Sequence, residues 1–464
     1  FIACSVVTTL LIPLYDRELC LWASETFSIR WGVLIASILL FLPPLTFLGF
    51  VSPYALRLAL RQVSQAGRTA GLLYAISTAG SVIGSIVAGF HLVPGLGVTL
   101  TLVIIAVVLA IPCVLWALTA RQAKAAVGIA ALTVLLSALS AWRAEARPYA
   151  NGDTVRLLHE AEGRYARIGI AEIRADPTVP DSEWVRWILI DGIPQTGVLA
   201  PDQDLVAPSR WYENFTPLHA VQSQFYRLHG REIKTALLIG LGGGAVPMAL
   251  EAQGIETEVV DIDPLVVENA AEWMGFDPEQ VPVHIMDGRA FIRRCDRTFD
   301  LVIFDVATGG NQPFHLFSRE IFEETDRILA PGGVLAINYI GFVSEERNFL
   351  TRAVVATISS IFSERACYIY PPASRRRRDS LCNIMLFFSH EPFADDRAVL
   401  RDPSTSPEDR RMLERQFIPL REDIAPSDFI LTDDRNPIER HSVAINEVWR
   451  RQVFVDFQRE LNRL

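Results

Sequence analysis

Histidine and paired cysteine are in short supply in this chain. Eight histidines and six cysteines are scattered over 464 residues. No two cysteines have C-x-x-C spacing and none sits at zinc-site intervals from a histidine, so no metal is expected and the cysteines read as free thiols. A basic surplus is missing too. With 43 Lys and Arg against 53 Asp and Glu the net charge is −10, the wrong sign for a surface that neutralises phosphates, and a nucleic-acid partner is not expected. Charge of either sign is scarce before about Trp142. Only 21% of the residues are charged and half are hydrophobic, less polar than an ordinary soluble chain. No signal-peptide pattern and no initiating Met are present, and Phe1 already lies inside an apolar run, so the sequence is expected to be a fragment lacking earlier spans.

The apolar residues gather into four or five runs: Phe1 to Tyr15, about Trp31 to Phe50, Ala70 to Leu92, Val98 to Ala120, and Ala123 to Trp142. The full runs approach the ~20 residues that cross a hydrocarbon core, where backbone groups lack water and only helices satisfy them. Gly80, Gly84 and Ala88 recur every four residues, a small-residue face that predicts close helix packing. No carboxylate interrupts any run, so nothing marks an ion path. Arg57, Arg61 and Arg68, with Arg121 and Lys124, predict two cytoplasmic turns, while Asp16, Glu18 and Glu25 fit the outside. Counted strictly, these charges send the last run outward and place whatever follows it outside the cytoplasm, unless that run is not a full crossing.

Beyond a polar linker the periodicity changes. Arg164 to Glu172 and Trp184 to Asp191 read as a small hairpin sheet ending in Asp191-Gly192. A βα alternation follows. Strands are expected at Thr235 to Ile239, Glu256 to Val260, Val283 to Met286, Phe299 to Phe304 and Val334 to Tyr339, the first too continuously apolar to have a wet face. The first feeds Gly240-Leu241-Gly242-Gly243-Gly244. Asp261, Asp287 and Asp305 end the next three, and ligands of an open parallel sheet bind at those ends. Asp261 follows Gly240 by about the interval expected of an acid that accepts from ribose hydroxyls. Pro247 stands where a dinucleotide fingerprint needs its third glycine, and Pro331-Gly332-Gly333 precedes the fifth strand. Both features favour an adenosyl cofactor on a methyltransferase-like sheet over a nicotinamide.

From Arg164 to about Ser389 the chain resembles the spermidine synthases, the polyamine aminopropyltransferases, in the form fused to a membrane domain. The resemblance rests on Ile190-Asp191-Gly192 with Gln195-Thr196, the glycine turn, Val260-Asp261-Ile262-Asp263-Pro264, Asp287-Gly288-Arg289, Phe299 to Asp305, Pro313, Leu316-Phe317, and Pro331 to Leu335. It implies transfer of an aminopropyl group from decarboxylated S-adenosylmethionine to an amine, by a dimer or tetramer. It implies Asp305 as catalytic base. Gly240, Gly242, Gly244, Asp261, Asp263, Asp287 and Gly288 would border the cofactor, with Asp261 on the ribose and Asp287 on the adenine. Gln195, Tyr212 and Glu213 would border the amine. Two departures stand out. Gly243 replaces the acid that holds the aminopropyl end in that family, and Thr308 replaces the second Asp after the base. Each lost charge-assisted contact is worth ~1.5–3 kcal/mol, which opens a rival methyltransferase using intact S-adenosylmethionine. A non-catalytic nucleoside or polyamine sensor is the other rival.

The expected architecture is a multi-span helical membrane domain (1–142), a linker (143–162), a small β domain with connecting helices (163–232), an α/β Rossmann-like methyltransferase-type domain (233–395), and a tail with an amphipathic helix (396–464). The expected setting is the inner or plasma membrane, with a lipid bilayer and a small amine as partners. His315 is a second candidate at the site mouth. Arg375 to Arg378 reads as a hairpin turn, and Leu431 to Pro437 as a capped turn.

Overall fold

A computed structural model of the chain describes residues 1–60, 66–145, 155–174, 184–199, 218, 222, 225, 228–306, 312–343, 347–370, 381–393, 418–419 and 428–449. Among the described residues, those up to Arg167 and those from Ile168 to Trp449 form two compact units.

The first unit is helical: α1 (Ile2–Thr26), α2 (Ile29–Gly49), α3 (Val51–Ala59), α4 (Ala66–Val87), α5 (Val93–Thr119) and α6 (Ala123–Glu145). Three stretches, Arg30–Ala59, Ala66–Thr119 and Ala123–Trp142, are long and apolar enough to cross a membrane. The second contains the expected break. Gly97 adopts φ 77° and ψ 171°, outside helical space, and the restart is capped from strand β1 (Val155–Glu162), where Val98 N donates to Glu162 Oε2 at 2.5 Å. A carboxylate at a helix start satisfies an N–H that has no intrahelical partner and meets the positive end of the dipole. The linker expected over 143–162 therefore ends in a strand. Val6 and Leu10 of α1 pack against Ala106 and Ala110 of α5. The small-residue face of α4 does not pack as expected: a Cβ at Gly80 or Gly84 would meet nothing within 4 Å, and α4 buries no residue.

In the second unit β2 (Arg167–Arg174), β3 (Trp184–Ile190) and β4 (Ile193–Leu199) form an antiparallel meander. Its tight β3–β4 turn is at Asp191-Gly192, both at positive φ. The α/β part then runs β5 (Thr235–Ile239), α7 (Ala245–Glu251), β6 (Glu256–Asp261), α8 (Pro264–Trp273), β7 (Val283–Ile285), α9 (Gly288–Arg294), β8 (Phe299–Phe304), α10 (Arg319–Arg327), β9 (Leu329–Phe342), α11 (Phe349–Ser359), β10 (Glu364–Tyr370), β11 (Leu381–Ser389), β12 (Ile418–Pro419) and α12 (Ile438–Trp449).

The strands lie in the order β12-β10-β11-β9-β8-β5-β6-β7. Strands β5 to β9 are parallel, while β11 runs antiparallel to β9 and β10. This is a Rossmann-like sheet of the methyltransferase type, and its order reverses between β5 and β8, where such sheets open a crevice. All six residues of β8 are buried, including Asp300, which is affordable because Arg231 donates to both its oxygens at 3.0 and 2.7 Å and Lys234 N to one at 2.8 Å. Phe299, Phe304, Phe317, Phe322 and Tyr339, each at most 1% exposed, anchor the core beneath the crevice. Burial of each is worth roughly 1.5–3 kcal/mol.

Candidate functional site

The crevice is bounded by the glycine turn after β5 and the tip of β8. Asp305 N donates to Ile239 O at 2.9 Å, so the two tips are laced together. Gly240 has φ 94°, and a Cβ there would collide with the backbone oxygen of Asp305. Glycine is required at this position by the neighbouring strand itself, before any ligand is considered. The Asp305 carboxyl is half-buried beside the turn. Burial raises its pKa above the ordinary carboxylate range, and one hydrogen bond opposes this: Asn338 Nδ2, on the adjoining β9, donates to Asp305 Oδ1 at 2.9 Å. Among the described residues Oδ2 takes no side-chain or backbone donor.

One strand to the other side, Asp261 closes β6. Its Oδ2 accepts from Leu241 N at 2.8 Å and its Oδ1 from Asp263 N at 2.9 Å. The carboxylate therefore shapes the glycine turn directly. Burial lifts its pKa, against backbone N–H bonds that lower it. Asp263 is only 3% exposed. It serves as the N-cap of α8, with Oδ1 accepting from Leu265 N at 3.0 Å, and burial raises its pKa as well. Asp287 stands at the next tip, just past β7. Its Oδ1 caps α9 through Ala290 N at 2.9 Å, and its Oδ2 lies 3.0 Å from His315 Nε2. Gly288 opens α9 tightly against β5, where a Cβ would sit 2.6 Å from Ile239 Cγ2.

The meander reaches the same turn. Gly243 N donates to Thr196 Oγ1 on β4 at 3.1 Å. A Cβ at Gly243 would lie 2.9 Å from Thr196 Cβ and 3.1 Å from Met274 Cε. The position where an acid was expected by resemblance is thus filled from the side by a threonine. Gln195 next to it turns its amide onto Ile193 O at 3.4 Å. Tyr212, Glu213 and Thr308 lie outside the described residues, as does the Arg375 to Arg378 run. Gly240, Gly242, Gly244, Asp261, Asp287 and Asp305 are gathered at one edge of the sheet. Thr196, Asn338 and the His315–Asp287 contact were not singled out as site features by sequence, because they are pairings between distant segments.

Glycine turn, switch point and three strand-tip acids together define a Rossmann-like domain of methyltransferase type. The sequence model of the spermine/spermidine synthase domain matches residues 227–373. An N-terminal histidine N-methyltransferase of Emericella nidulans is 34% identical over 209 residues, covering 43% of this chain and 36% of that protein. A polyamine aminopropyltransferase of Vibrio vulnificus is 34% identical over 147 residues, covering 30% of this chain and 48% of that protein. The chain thus spans less than half the length of either relative. Among solved structures, a probable spermidine synthase from Corynebacterium glutamicum aligns with a TM-score of 0.43 at 21% identity, covering 56% of this chain and 89% of that one.

Proposed function

We propose that this chain is a membrane-tethered transferase that moves an alkyl group from a sulfonium nucleoside of the S-adenosylmethionine type to a small amine. The observation that carries the reading is Asp305: a carboxyl at the switch point, held by Asn338 and raised in pKa by its surroundings. An amine must lose a proton as it attacks, and a base of elevated pKa beside the reacting centre accepts it more readily than an ordinary aspartate. The residues present fit the adenosyl portion of such a cofactor. Asp261 offers acceptors to paired hydroxyls, and the turn from Gly240 to Gly244 presents backbone without side chains. When bound, such a cofactor would supply a carbon activated for transfer by its sulfonium, with the neutral thioether nucleoside as leaving group. Asp305 Oδ2 takes the proton, while the strand tips fix the geometry and so supply most of the remaining rate enhancement.

Aminopropyl transfer is the first reading, carried by the spermine/spermidine synthase match. Methyl transfer is the second, favoured by Gly243, where Thr196 leaves no room for an acid to hold an aminopropyl ammonium. The apolar helices α2, α4, α5 and α6 are read as the membrane anchor. Incubating the full chain in lipid nanodiscs with amines and either cofactor distinguishes the readings by product: methylthioadenosine from the decarboxylated form, S-adenosylhomocysteine from the intact one. If neither forms while both nucleosides bind, the transferase reading fails in favour of a sensor.

A further inference from the structure

The segment Leu431 to Asn436 is a tight turn far along the sequence from the glycine loop, yet its contacts converge on the edge of the site. Thr432 and Arg435 form a two-residue bridge. The fully buried Leu431 fixes one end, since its N donates to Thr357 Oγ1 at 2.9 Å and its O accepts from Arg319 N at 2.8 Å. From this anchored turn Asp433 accepts a two-pronged contact from Arg289, with Nη1 to Oδ1 and Nη2 to Oδ2 both at 2.7 Å. Ser318 Oγ adds a third bond to Oδ1 at 2.6 Å. The Arg289 hydrogen bond is the main cause that holds the Asp433 carboxyl below the usual range. A planar guanidinium held on both nitrogens by one carboxylate has little freedom left.

Arg289 is the second residue of α9, immediately after Asp287-Gly288, and its Nη1 also reaches His315 O at 3.3 Å. Asn436 Nδ2 holds the same short turn at Phe314 O (2.9 Å) and Phe317 O (3.2 Å). The turn carrying His315 is therefore trapped between α9 and the Leu431 to Asn436 segment. His315 Nε2, so placed, meets Asp287 Oδ2, while Asp287 Oδ1 is occupied in capping α9. Asp287 Oδ2 is thereby met by a ring whose turn Asp433 helps to fix through Arg289, while Oδ1 is held by the α9 backbone.

We propose that Asp433 and Arg289 are positioning residues for the base end of the nucleoside, acting through His315 to aim Asp287 at an exocyclic amino group. This rests on the reading of the crevice as an adenosyl site. The ligand feature it selects is a 6-amino purine over a 6-oxo purine, because a carboxylate oxygen accepts from N–H and repels a carbonyl.

The test is a pair of titrations into the full chain in nanodiscs, with 5′-methylthioadenosine and its 6-oxo counterpart 5′-methylthioinosine. The wild type should prefer the 6-amino form by about tenfold or more, the size of one charge-assisted hydrogen bond. Asp433→Asn should compress that preference to within about threefold, with Asp433→Glu retaining it and Ser318→Ala falling between. A brace that matters only to folding would weaken both nucleosides equally and leave the ratio unchanged, and that result overturns the inference. A wild-type ratio near one overturns it too, while leaving the adenosyl site intact. Failure of the wild type to bind either nucleoside instead sinks the underlying reading of the crevice, and the inference with it.

Discussion

Asn338 donates its side-chain amide to Oδ1 of Asp305 across two adjacent parallel strands, at 2.9 Å. This bond fixes one oxygen of the carboxyl at the crevice and bears on its proton affinity. The bond lowers a pKa that burial raises, so the two effects compete and burial wins.

Replacing Asp305 by Asn removes the base while preserving shape. Turnover should fall by about 10²–10⁴, the usual contribution of a positioned base. Methylthioadenosine affinity, measured by calorimetry, should stay within a few fold. Unchanged turnover would remove Asp305 from the chemistry.

Asn338→Leu should shift the pH profile. The active form of Asp305 is the carboxylate, so kcat/KM rises with pH as the proton leaves, with a midpoint above the ordinary value of about 4. Losing the Asn338 bond takes away a stabiliser of the carboxylate, so the acid limb should move to still higher pH. The stability consequence runs the opposite way with pH. A carboxyl whose folded pKa is raised binds more protons in the native state, so stability declines as pH climbs from the unfolded toward the folded pKa. A limb that does not move, or moves down, contradicts the assignment.

Gly243→Asp is expected to destabilise the chain by about 1–3 kcal/mol through overpacking against Thr196. Thr196→Gly combined with Gly243→Asp should recover most of the loss in thermal unfolding, since the nearest obstructing atoms belong to Thr196. If the single variant is as stable as wild type, crowding does not explain the missing acid.

Arg231 and Asp300 test the support under the sheet. Asp300 is buried, which by itself would raise its pKa, but the Arg231 hydrogen bond and backbone donors bring it below the usual range. A depressed carboxyl contributes stability that is present above the unfolded pKa of about 3.9 and is lost as pH falls through the folded value. Arg231→Met should cost about 1–3 kcal/mol near neutrality, less than for a fully buried pair because the guanidinium is partly in water. Acid-melting curves of the two proteins should then converge once the pH has fallen through the depressed folded pKa of Asp300. Parallel curves would show that the pair does not govern acid stability.

Much of the sheet was legible because its strands are uninterrupted apolar runs punctuated by glycine or aspartate. Strands β5 and β8 begin and end where the sequence expects them, at Thr235–Ile239 and Phe299–Phe304. Helix α10 starts at Arg319, because Ser318 turns its hydroxyl to the Ile321 N–H and caps it. Strand β9 begins before the Pro331-Gly332-Gly333 turn, because Leu329 already pairs with Phe299. The turn glycines and strand-tip acids were visible as residue types at fixed spacing. What holds them was not. Thr196, Asn338 and Asp433 meet their partners 47, 33 and 144 residues away, and no local periodicity encodes such pairings. Asp263 illustrates the reverse case: an Asp-Pro pair opening a helix is a local capping signal, and in the structure it forms that cap.

The most direct measurement is a calorimetric titration of 5′-methylthioadenosine into the full chain and its Asp261→Asn variant. Asp261 both shapes the glycine turn and faces the proposed ribose position, so saturable binding to the wild type should weaken at least about tenfold in the variant. No binding to the wild type, or equal affinity in the two proteins, would contradict an adenosyl site at this crevice.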